Sequence, residues 1–377
     1  MSLDNIRKEI DKIDNELAEL LRQRMECSLK VAEIKRAEGL PVYHPGREAE
    51  IIKKVSDLGG NYGEYIGEIY RFLMACSREV QHNSLSKTAE NIVPKNSETA
   101  LNVSGKVACY GNFGAFTHLA LMGAFGEENV SPLFFESFDK VFGAVDRGEV
   151  KFGILPIENS SAGSVREVYD LLLKSKAYIA ASVIMPIKHN LLGLQNAEIG
   201  DIKTVYSHGQ AISQCKDFIN AHRLETVEYY STANAAKYVA ELNDKSAAAI
   251  GSAYCGKYNG LKVISENIQS FDNNKTRFIL ISKTPVITND REKISITFSL
   301  PHTPGSLQKI LTRFSLHGLN LTKLESCAGT GGGFETRFYL DFLGDAENEK
   351  TKSLLLDLTA ELKDFAFLGN YKEYILN

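Results

Sequence analysis

Short apolar runs alternate with stretches of helical periodicity through the middle of the chain, and this alternation limits the possible folds more than any other feature. The runs are bounded by turn-forming residues, and between them apolar residues recur every three or four positions. This order predicts parallel sheets with helices on both faces, in two lobes with a cleft. The predicted strands are residues 107–110, 152–155, 179–184, 204–206, 227–230, 247–250 and 276–281.

Four polar clusters follow or open these strands. They are residues 111–117, residues 158–164, residues 207–210 together with Gln214, and residues 276–278. Ligands bind where the strands of such sheets end, so the clusters predict a site in the cleft. The glycine turn at 111–114 lacks a following Lys-Ser/Thr pair, which argues against a nucleotide P-loop and favours a carboxylate ligand. Turn glycines and helix caps are the structural alternative for each cluster taken singly.

The chain begins with a different pattern, in which apolar residues from Leu3 to Ile34 step by threes and fours. This spacing predicts one long amphipathic helix with a coiled-coil-like seam. Arg24 interrupts the seam, and a charge there needs an acidic partner or an anionic ligand. Lys35 returns to nearly the same face about 16 Å further along. The two cations can therefore converge on one anion.

Two more helices are predicted after the break at residues 39–41, one from about residue 47 and one from about residue 64 to residue 81. They add Arg47, Glu48, Ser77 and Gln81 to the two cations. Such a cage offers fixed cations and hydrogen-bond donors without a poised base. It suits a small dianion better than a proton-transfer reaction.

Arg7 occupies a different position on the first helix. It lies about 25 Å along the axis from Arg24 and roughly 100° around it. One helix cannot bring both side chains to the same small ligand. Arg7 therefore either belongs to a site completed by a second chain or is a solvated surface charge.

Residues 3–82 resemble the all-helical chorismate mutases. The resemblance implies an interlocked dimer and a cofactor-free rearrangement of chorismate to prephenate. Lys35 and the Gln81 amide would stabilise charge on the breaking ether oxygen, while arginines hold the two carboxylates. His44 stands where the family often has an Asp near the substrate hydroxyl. The implied substrate contacts are Arg7, Arg24, Lys35, His44, Arg47, Glu48, Ser77 and Gln81.

The four polar clusters, taken together and in this order, resemble the prephenate dehydratases. The resemblance rests on Thr276-Arg277-Phe278 and on the run from Glu158 to Gly163. It implies loss of carbon dioxide and hydroxide from prephenate to give phenylpyruvate, with the Thr276 hydroxyl as the acid and Glu158 and Asn159 orienting the leaving group. The implied substrate-binding residues are Thr117, Ser160, Ser207, Gln214, Arg277 and Phe278.

The last eighty-five residues read as strand, helix, two strands, helix and a final short strand, which is the ferredoxin-like order. This part resembles the ACT regulatory domain that prephenate dehydratases carry, where phenylalanine binds between two chains. Cys327 and Ala328 replace the Arg and Pro of the family motif, so we expect weakened inhibition by phenylalanine. The implied effector residues are Gly305, Ser306, Leu307, Glu325 and Ser326.

Composition excludes several classes of function. The formal net charge of −4, with both signs interspersed, argues against a nucleic-acid or membrane partner. No apolar run approaches the roughly 20 residues that span a bilayer, and the first residues lack a signal-peptide pattern, so a cytoplasmic protein is expected. The six cysteines show no metal-ligand spacing with each other or with histidine, so no metal is expected.

The leading hypothesis is a bifunctional enzyme of phenylalanine biosynthesis that needs no cofactor. We expect an all-α mutase domain at 1–84, a linker at 85–103, a two-lobed, periplasmic-binding-protein-like α/β dehydratase domain at 104–285, and an α+β ACT domain at 291–377. One alternative is a non-enzymatic amino-acid binder, which would have no reason to carry Thr276-Arg277-Phe278. The other is a dehydratase that accepts arogenate. The helical and ACT domains each offer an interface, so a homodimer or homotetramer is expected.

Overall fold

The computed structural model describes residues 2–85, 92–94, 96–328 and 336–377. The chain divides into two compact units. The first contains Met1–Val93 and Ile296–Phe367, and the second contains Pro94–Ser295 and Leu368–Asn377. Among the described residues, each helix is too short or too polar to cross a membrane.

Three helices form the N-terminal part of the first unit, which confirms the predicted helical region. They are α1 (Leu3–Glu38), α2 (Pro45–Leu58) and α3 (Gly63–Leu85). Ser2 caps the start of α1, and Gly39 ends that helix in the left-handed conformation, with φ of 66°, which glycine adopts at little cost. Both α1 and α2 pack against α3.

The second unit alternates strands and helices, as predicted. Its first half contains β1 (Gly105–Tyr110), α4 (Phe116–Phe125), β2 (Val130–Phe135), α5 (Phe138–Asp146), β3 (Phe152–Asn159), β4 (Gly163–Ser164), α6 (Arg166–Ser175) and β5 (Tyr178–Pro186). Its second half contains β6 (Asn190–Gly193), β7 (Thr204–Ser207), α7 (Gly209–Gln214), α8 (Lys216–Ala221), β8 (Glu225–Glu228), α9 (Thr232–Leu242), β9 (Ala247–Gly251), α10 (Ala253–Tyr258), β10 (Lys262–Ser265) and β11 (Lys275–Ser282).

These strands form the two lobes of the second unit. In one lobe the order is β5-β11-β3-β1-β2, with β4 beside β3, and in the other it is β10-β6-β9-β7-β8. The expectation of parallel sheets is wrong in part, because β11 runs antiparallel to β3 and β5, and β6 runs antiparallel to β9 and β10. The cause is the path of the chain: it leaves the first lobe after β5 and returns through β11 from the opposite direction.

The core of the first lobe lies on the strands that carry the polar clusters. Ile154 on β3 and Leu280 on β11 are fully buried in one apolar cluster. The helix expected over residues 211–220 is broken at Cys215, so that Gln214 is the last residue of α7. This break places a predicted site residue at a helix end.

The last part of the chain has the predicted ferredoxin-like order. It contains β12 (Lys293–Leu300), α11 (Ser306–Leu316), β13 (Leu321–Ala328), β14 (Thr336–Leu343), α12 (Glu349–Glu361) and β15 (Lys363–Ile375). The strands follow the order β13-β14-β12-β15. The final strand is 13 residues long. The expectation of a short strand there is therefore wrong.

Candidate active sites

The first candidate site is a cavity of about 530 Å³ lined by side chains of α1, α2 and α3 and by the α1–α2 connection. It brings together six residues that the sequence placed in one cage and His44, which the resemblance to chorismate mutases added, although the seven are spread over almost sixty positions. They are Arg24, Lys35, His44, Arg47, Glu48, Ser77 and Gln81.

A hydrogen bond joins α1 to α3 inside this cavity. The Arg24 guanidinium donates to the Ser77 hydroxyl, and a second nitrogen of Arg24 lies 3.3 Å from Met74 Sδ. The Ser77 hydroxyl donates in turn to the Leu73 carbonyl at 2.9 Å. The charge that interrupts the α1 seam is therefore anchored by polar and polarisable atoms. Because both partners are neutral, Arg24 keeps its positive charge for an anion in the cavity.

Lys35 and Gln81 supply the remaining donors. Lys35 Nζ donates to the Val42 carbonyl at 2.5 Å. Burial lowers the pKa of Lys35, and the nearby Glu48 carboxylate partly offsets this effect. Gln81 Nε2 donates to the Ser77 carbonyl at 3.2 Å, whereas its buried Oε1 has no partner among the residues that the structure describes. A buried amide oxygen without a donor is costly, so this atom marks a position for a ligand group that donates a hydrogen bond.

Arg78 also lines the cavity and was missed from the sequence. One nitrogen of its guanidinium lies 2.5 Å from both Glu48 oxygens, and its guanidinium carbon lies 5.3 Å from the centre of the Tyr43 ring. The available signal was its position three residues before Gln81, which places the two side chains on neighbouring parts of one helix surface. Arg78 therefore neutralises Glu48. Arg47, whose side chain is 68% exposed, pairs with Glu50 at 3.1 Å at the same cavity.

Two other predicted contacts have local partners. His44 caps α2, because its Nδ1 accepts a hydrogen bond from the Arg47 amide at 3.1 Å. Arg7 does not line the cavity; its side chain is 66% exposed and lies 3.8 Å from Asp4. The cavity within one chain therefore lacks Arg7, for which the sequence left two alternatives, a site completed by a second chain or a solvated surface charge.

The second candidate site lies where β3 and β11 run side by side. Thr276 is opposite Asn159 in the ladder, and Arg277 is opposite Glu158. Arg277 Nη2 lies 3.3 Å from Glu158 Oε2. The Arg277 side chain is 8% exposed and that of Glu158 is 34% exposed, so the carboxylate is the more accessible member of the pair.

Asn159 fixes the environment of the Thr276 hydroxyl. Its Oδ1 accepts hydrogen bonds from the Ser161 and Ala162 amides, both at 3.0 Å. Its Nδ2 must therefore face the other way, and it donates to Thr276 Oγ1 at 2.9 Å. Thr276 accepts this bond, and within the described ranges its own hydroxyl hydrogen has no acceptor. The hydrogen is free for a substrate oxygen.

The hydroxyls of two predicted substrate-binding serines form hydrogen bonds with the backbone. The Ser160 hydroxyl donates to the Asn273 carbonyl at 3.1 Å and accepts from the Lys275 amide at 2.9 Å. The buried Ser207 hydroxyl donates to the Ile250 carbonyl at 2.8 Å. These contacts tie the strand ends around the site. The geometry gives both hydroxyls a positioning role.

The other predicted residues lie at different depths. Gln214 Oε1 accepts a hydrogen bond from Asn274 Nδ2 at 3.0 Å and lies 2.9 Å from His189 Nε2. Phe278 is buried in the apolar cluster of the first lobe, so it supports the site from the core. Thr117 is buried in the first turn of α4. His189 and Asn274 had no recognisable sequence signal, because they lie on the connections between the two lobes.

A third cavity, of about 360 Å³, lies in the ferredoxin-like part. Ser306, Leu307 and Phe338 are among its lining residues. Gly305 immediately precedes α11 with a φ of 78°. Glu325 and Ser326 lie on β13 and are not among the residues that line this cavity. Ser326 is the ladder partner of Phe338, which does line it. The structure thus brings together part of the predicted effector set.

Within the part of the chain that the structure describes, no cluster of three or more His, Cys, Asp or Glu side chains is arranged to hold a metal ion. The two sites instead offer guanidinium, ammonium, amide and hydroxyl donors. Together they define a multidomain protein with a helical anion-binding cavity and a two-lobed α/β unit whose hydroxyl and carboxylate groups suit elimination chemistry.

Comparison with known proteins identifies the family. Residues 6–82 match chorismate mutase type II, and residues 107–286 match prephenate dehydratase. The bifunctional chorismate mutase/prephenate dehydratase of Aquifex aeolicus is 31% identical over 99% of both chains. The chain belongs to the bifunctional chorismate mutase/prephenate dehydratase family, which confirms the two resemblances seen in the sequence.

Two further relatives each match 71% of the chain. The chloroplastic arogenate dehydratase/prephenate dehydratase 2 of Arabidopsis thaliana is 36% identical, over 71% of this chain and 72% of its own. The solved prephenate dehydratase of Arthrobacter aurescens, in complex with L-Phe, superposes with a TM-score of 0.65 at 28% identity. That match covers 71% of this chain and 89% of the Arthrobacter chain.

Proposed function

We propose that this chain rearranges chorismate to prephenate in the helical cavity and converts prephenate to phenylpyruvate at the β3–β11 site, as an enzyme of phenylalanine biosynthesis. The observation that carries the proposal is the presence of both sites in one chain whose full length matches a bifunctional relative. Neither reaction requires a cofactor.

The helical cavity supports the first reaction by binding charge. Arg24 and Arg47 hold the two carboxylates of chorismate in a compact conformation, which brings the reacting carbons together. Lys35 and the Gln81 amide donate to the ether oxygen as its bond breaks and its negative charge grows. Gln81 Nε2 gives one hydrogen to the Ser77 carbonyl, and the second hydrogen of its NH₂ group is the proposed donor to the ether oxygen.

The β3–β11 site supports the second reaction through a proton donor. When the ring carboxylate of prephenate leaves as carbon dioxide, its bonding electrons enter the ring and expel the 4-hydroxyl. Thr276 gives its hydroxyl proton to the departing oxygen, which leaves as water. Asn159 donates to Thr276 Oγ1 and stabilises the charge that develops there, while Glu158, held by Arg277, orients the leaving group.

The proposed domains are a mutase at 1–84, a linker at 85–103, a dehydratase at 104–285 and an ACT domain at 291–377. The ferredoxin-like strand order supports the last assignment. Phenylalanine is the proposed effector, and its proposed position is the cavity beside Ser306 and Leu307. The Arthrobacter relative, solved with L-Phe, supports this choice of ligand.

A dimer is the proposed minimum assembly. The apolar seam of α1 is exposed along its length: Leu3, Ile13 and Leu20 are each more than half exposed. A large apolar stripe on a monomer is unfavourable in water, and a second copy would cover it. The same contact would bring Arg7 of one chain to the cavity of the other.

Arogenate is the second candidate substrate of the β3–β11 site, because the Arabidopsis relative is named for both dehydratase activities. The test is to give the purified protein chorismate, prephenate or arogenate separately and to identify the products by chromatography. The proposal expects prephenate and then phenylpyruvate from chorismate. Chorismate and prephenate both left unchanged would refute it and would favour a non-enzymatic binder.

A further inference from the structure

A continuous hydrogen-bonded network of side chains, all buried except the half-buried Gln214, runs from Thr276 to His189. Asn159 Nδ2 donates to Thr276 Oγ1 at 2.9 Å and to Asn274 Oδ1 at 2.8 Å. Asn274 Nδ2 donates to Gln214 Oε1 at 3.0 Å, and His189 Nε2 lies 2.9 Å from the same oxygen. Asn274 is 3% exposed and His189 is 2% exposed. The network is thus shielded from water at its His189 end.

The direction of each hydrogen bond follows from two backbone amides. The amides of residues 161 and 162 fix Asn159 Oδ1, which forces its Nδ2 toward Asn274. Asn274 Oδ1 must then accept, so its Nδ2 donates to Gln214. Gln214 therefore presents its Oε1, and His189 Nε2 must carry the proton that points at it.

This order leaves two buried atoms with unused hydrogen-bonding capacity. His189 in its Nε2–H tautomer has a bare Nδ1, and Gln214 keeps its Nε2 hydrogens. Across the residues that the structure covers, neither atom has a partner. Burial lowers the pKa of His189, with a smaller opposing effect from Gln214, so the ring is neutral at pH 7. An unpaired buried acceptor, such as His189 Nδ1, and an unpaired buried donor, such as Gln214 Nε2, are each costly unless a ligand uses them.

His189 and Asn274 lie on the two connections between the lobes. His189 is between β5 and β6, and Asn274 immediately precedes β11. The connections are bonded to each other, since the Ile187 amide donates to the Asn274 carbonyl and the Ile268 amide donates to the His189 carbonyl, both at 2.8 Å. Gln214 is on the second lobe. The network therefore links this glutamine to the Thr276 side of the cleft.

We propose that His189 and Asn274 are positioning residues that hold the Gln214 carboxamide in one orientation, so that its NH₂ group is the donor to an anionic oxygen of the dehydratase substrate. The inference rests on the proposed prephenate dehydratase activity and names the residues that orient one substrate-binding group of that site. His189 acts through Gln214 and transfers no proton to the substrate. Asn274 transmits the same constraint to Asn159 and Thr276.

The test compares two variants of His189 in the full-length protein. His189→Phe keeps a ring beside Phe116, whose centre is 5.5 Å away, but loses the donor. His189→Gln places an amide donor near the former Nε2 position. We expect kcat/KM for prephenate to fall about tenfold in His189→Phe, mainly through KM, and to recover in large part in His189→Gln. The mutase rate with chorismate should be unchanged, which shows that the loss is confined to the dehydratase site, and an unchanged thermal unfolding curve shows that the second unit is folded.

A double-mutant cycle separates positioning from general support of the fold. If His189 acts through Gln214, then adding His189→Phe to Gln214→Ala should change kcat/KM by less than about twofold. Fully additive losses, or a His189→Phe variant equal to wild type, would overturn the inference while leaving the proposed function intact. Wild-type protein that leaves prephenate unchanged would overturn both. A ¹⁵N spectrum that shows a proton on Nδ1 of His189 would also contradict the inference.

Discussion

Replacement of Thr276 by valine removes the proposed acid while keeping the shape of the side chain. The Thr276 side chain is buried and Oγ1 accepts one bond from Asn159. Valine fills nearly the same volume, so packing against β3 and β5 is retained. What disappears is one hydroxyl, which both accepts from Asn159 and offers a proton to the substrate.

The structure allows the loss in folding to be compared with the loss in rate. Asn159 Nδ2 keeps two other acceptors, Asn274 Oδ1 at 2.8 Å and the Lys275 carbonyl at 3.2 Å. Removal of the third should lower the free energy of unfolding by only about 1 kcal/mol. A positioned acid contributes roughly 10²- to 10⁴-fold to a rate, which is about 2.7–5.4 kcal/mol of transition-state stabilisation. The effect on catalysis should therefore far exceed the effect on stability.

The assay is the initial rate of phenylpyruvate formation from prephenate, together with the mutase rate from chorismate on the same sample. Thr276→Val should lose at least about 100-fold in dehydratase kcat and retain the mutase rate. Thr276→Ser is the matched control, because it keeps a hydroxyl, and it should stay within about tenfold of wild type. A valine variant with dehydratase activity within a few-fold of wild type would refute Thr276 as the acid.

Three further changes test other parts of the chain. Lys35→Met should lower the mutase rate at least about 100-fold without changing turnover of prephenate. In wild type, burial lowers the pKa of Lys35 below its ordinary value of 10.5, so the mutase rate should fall as the pH rises through that lowered pKa. Gly114→Ala should lower the free energy of unfolding, measured by thermal denaturation, by about 3 kcal/mol or more, because φ is +80° and the new Cβ would lie 2.6 Å from a backbone carbon. Gly148→Ala is the control: φ is +72° but the new Cβ would meet open space, so the loss should be about 1 kcal/mol. Arg313→Ala should lower stability by about 3–5 kcal/mol in calorimetry, because the buried guanidinium pairs with two carboxylates at 2.9 and 3.0 Å; equal melting temperatures would contradict this.

Local patterns in the sequence were sufficient where the interactions themselves are local. The seam from Leu3 to Ile34 specified one long helix, and helical spacing on α3 put Ser77 and Gln81 on one surface. The order of strands and helices was also recoverable, because each strand is bounded by turn residues. The direction of β11 could not be predicted, because it depends on where the chain returns from the other lobe.

The candidate sites show the same limit. Arg78 could have been found by following the α3 surface, but its role depends on Glu48, thirty residues away in sequence. His189 and Asn274 meet only because two separate connections between lobes lie side by side. Ser160 and Ser207 carry the right chemical group, yet their hydroxyls are used by backbone partners that periodicity does not reveal.

Conversion of chorismate by the single purified protein tests the central claim most directly. Chorismate, prephenate and phenylpyruvate would be followed together by chromatography for wild type, Lys35→Met and Thr276→Val. We predict that wild type converts chorismate fully to phenylpyruvate, that Lys35→Met leaves chorismate, and that Thr276→Val accumulates prephenate. Wild-type protein that leaves chorismate untouched, or that stops at prephenate, would contradict a two-step enzyme in one chain.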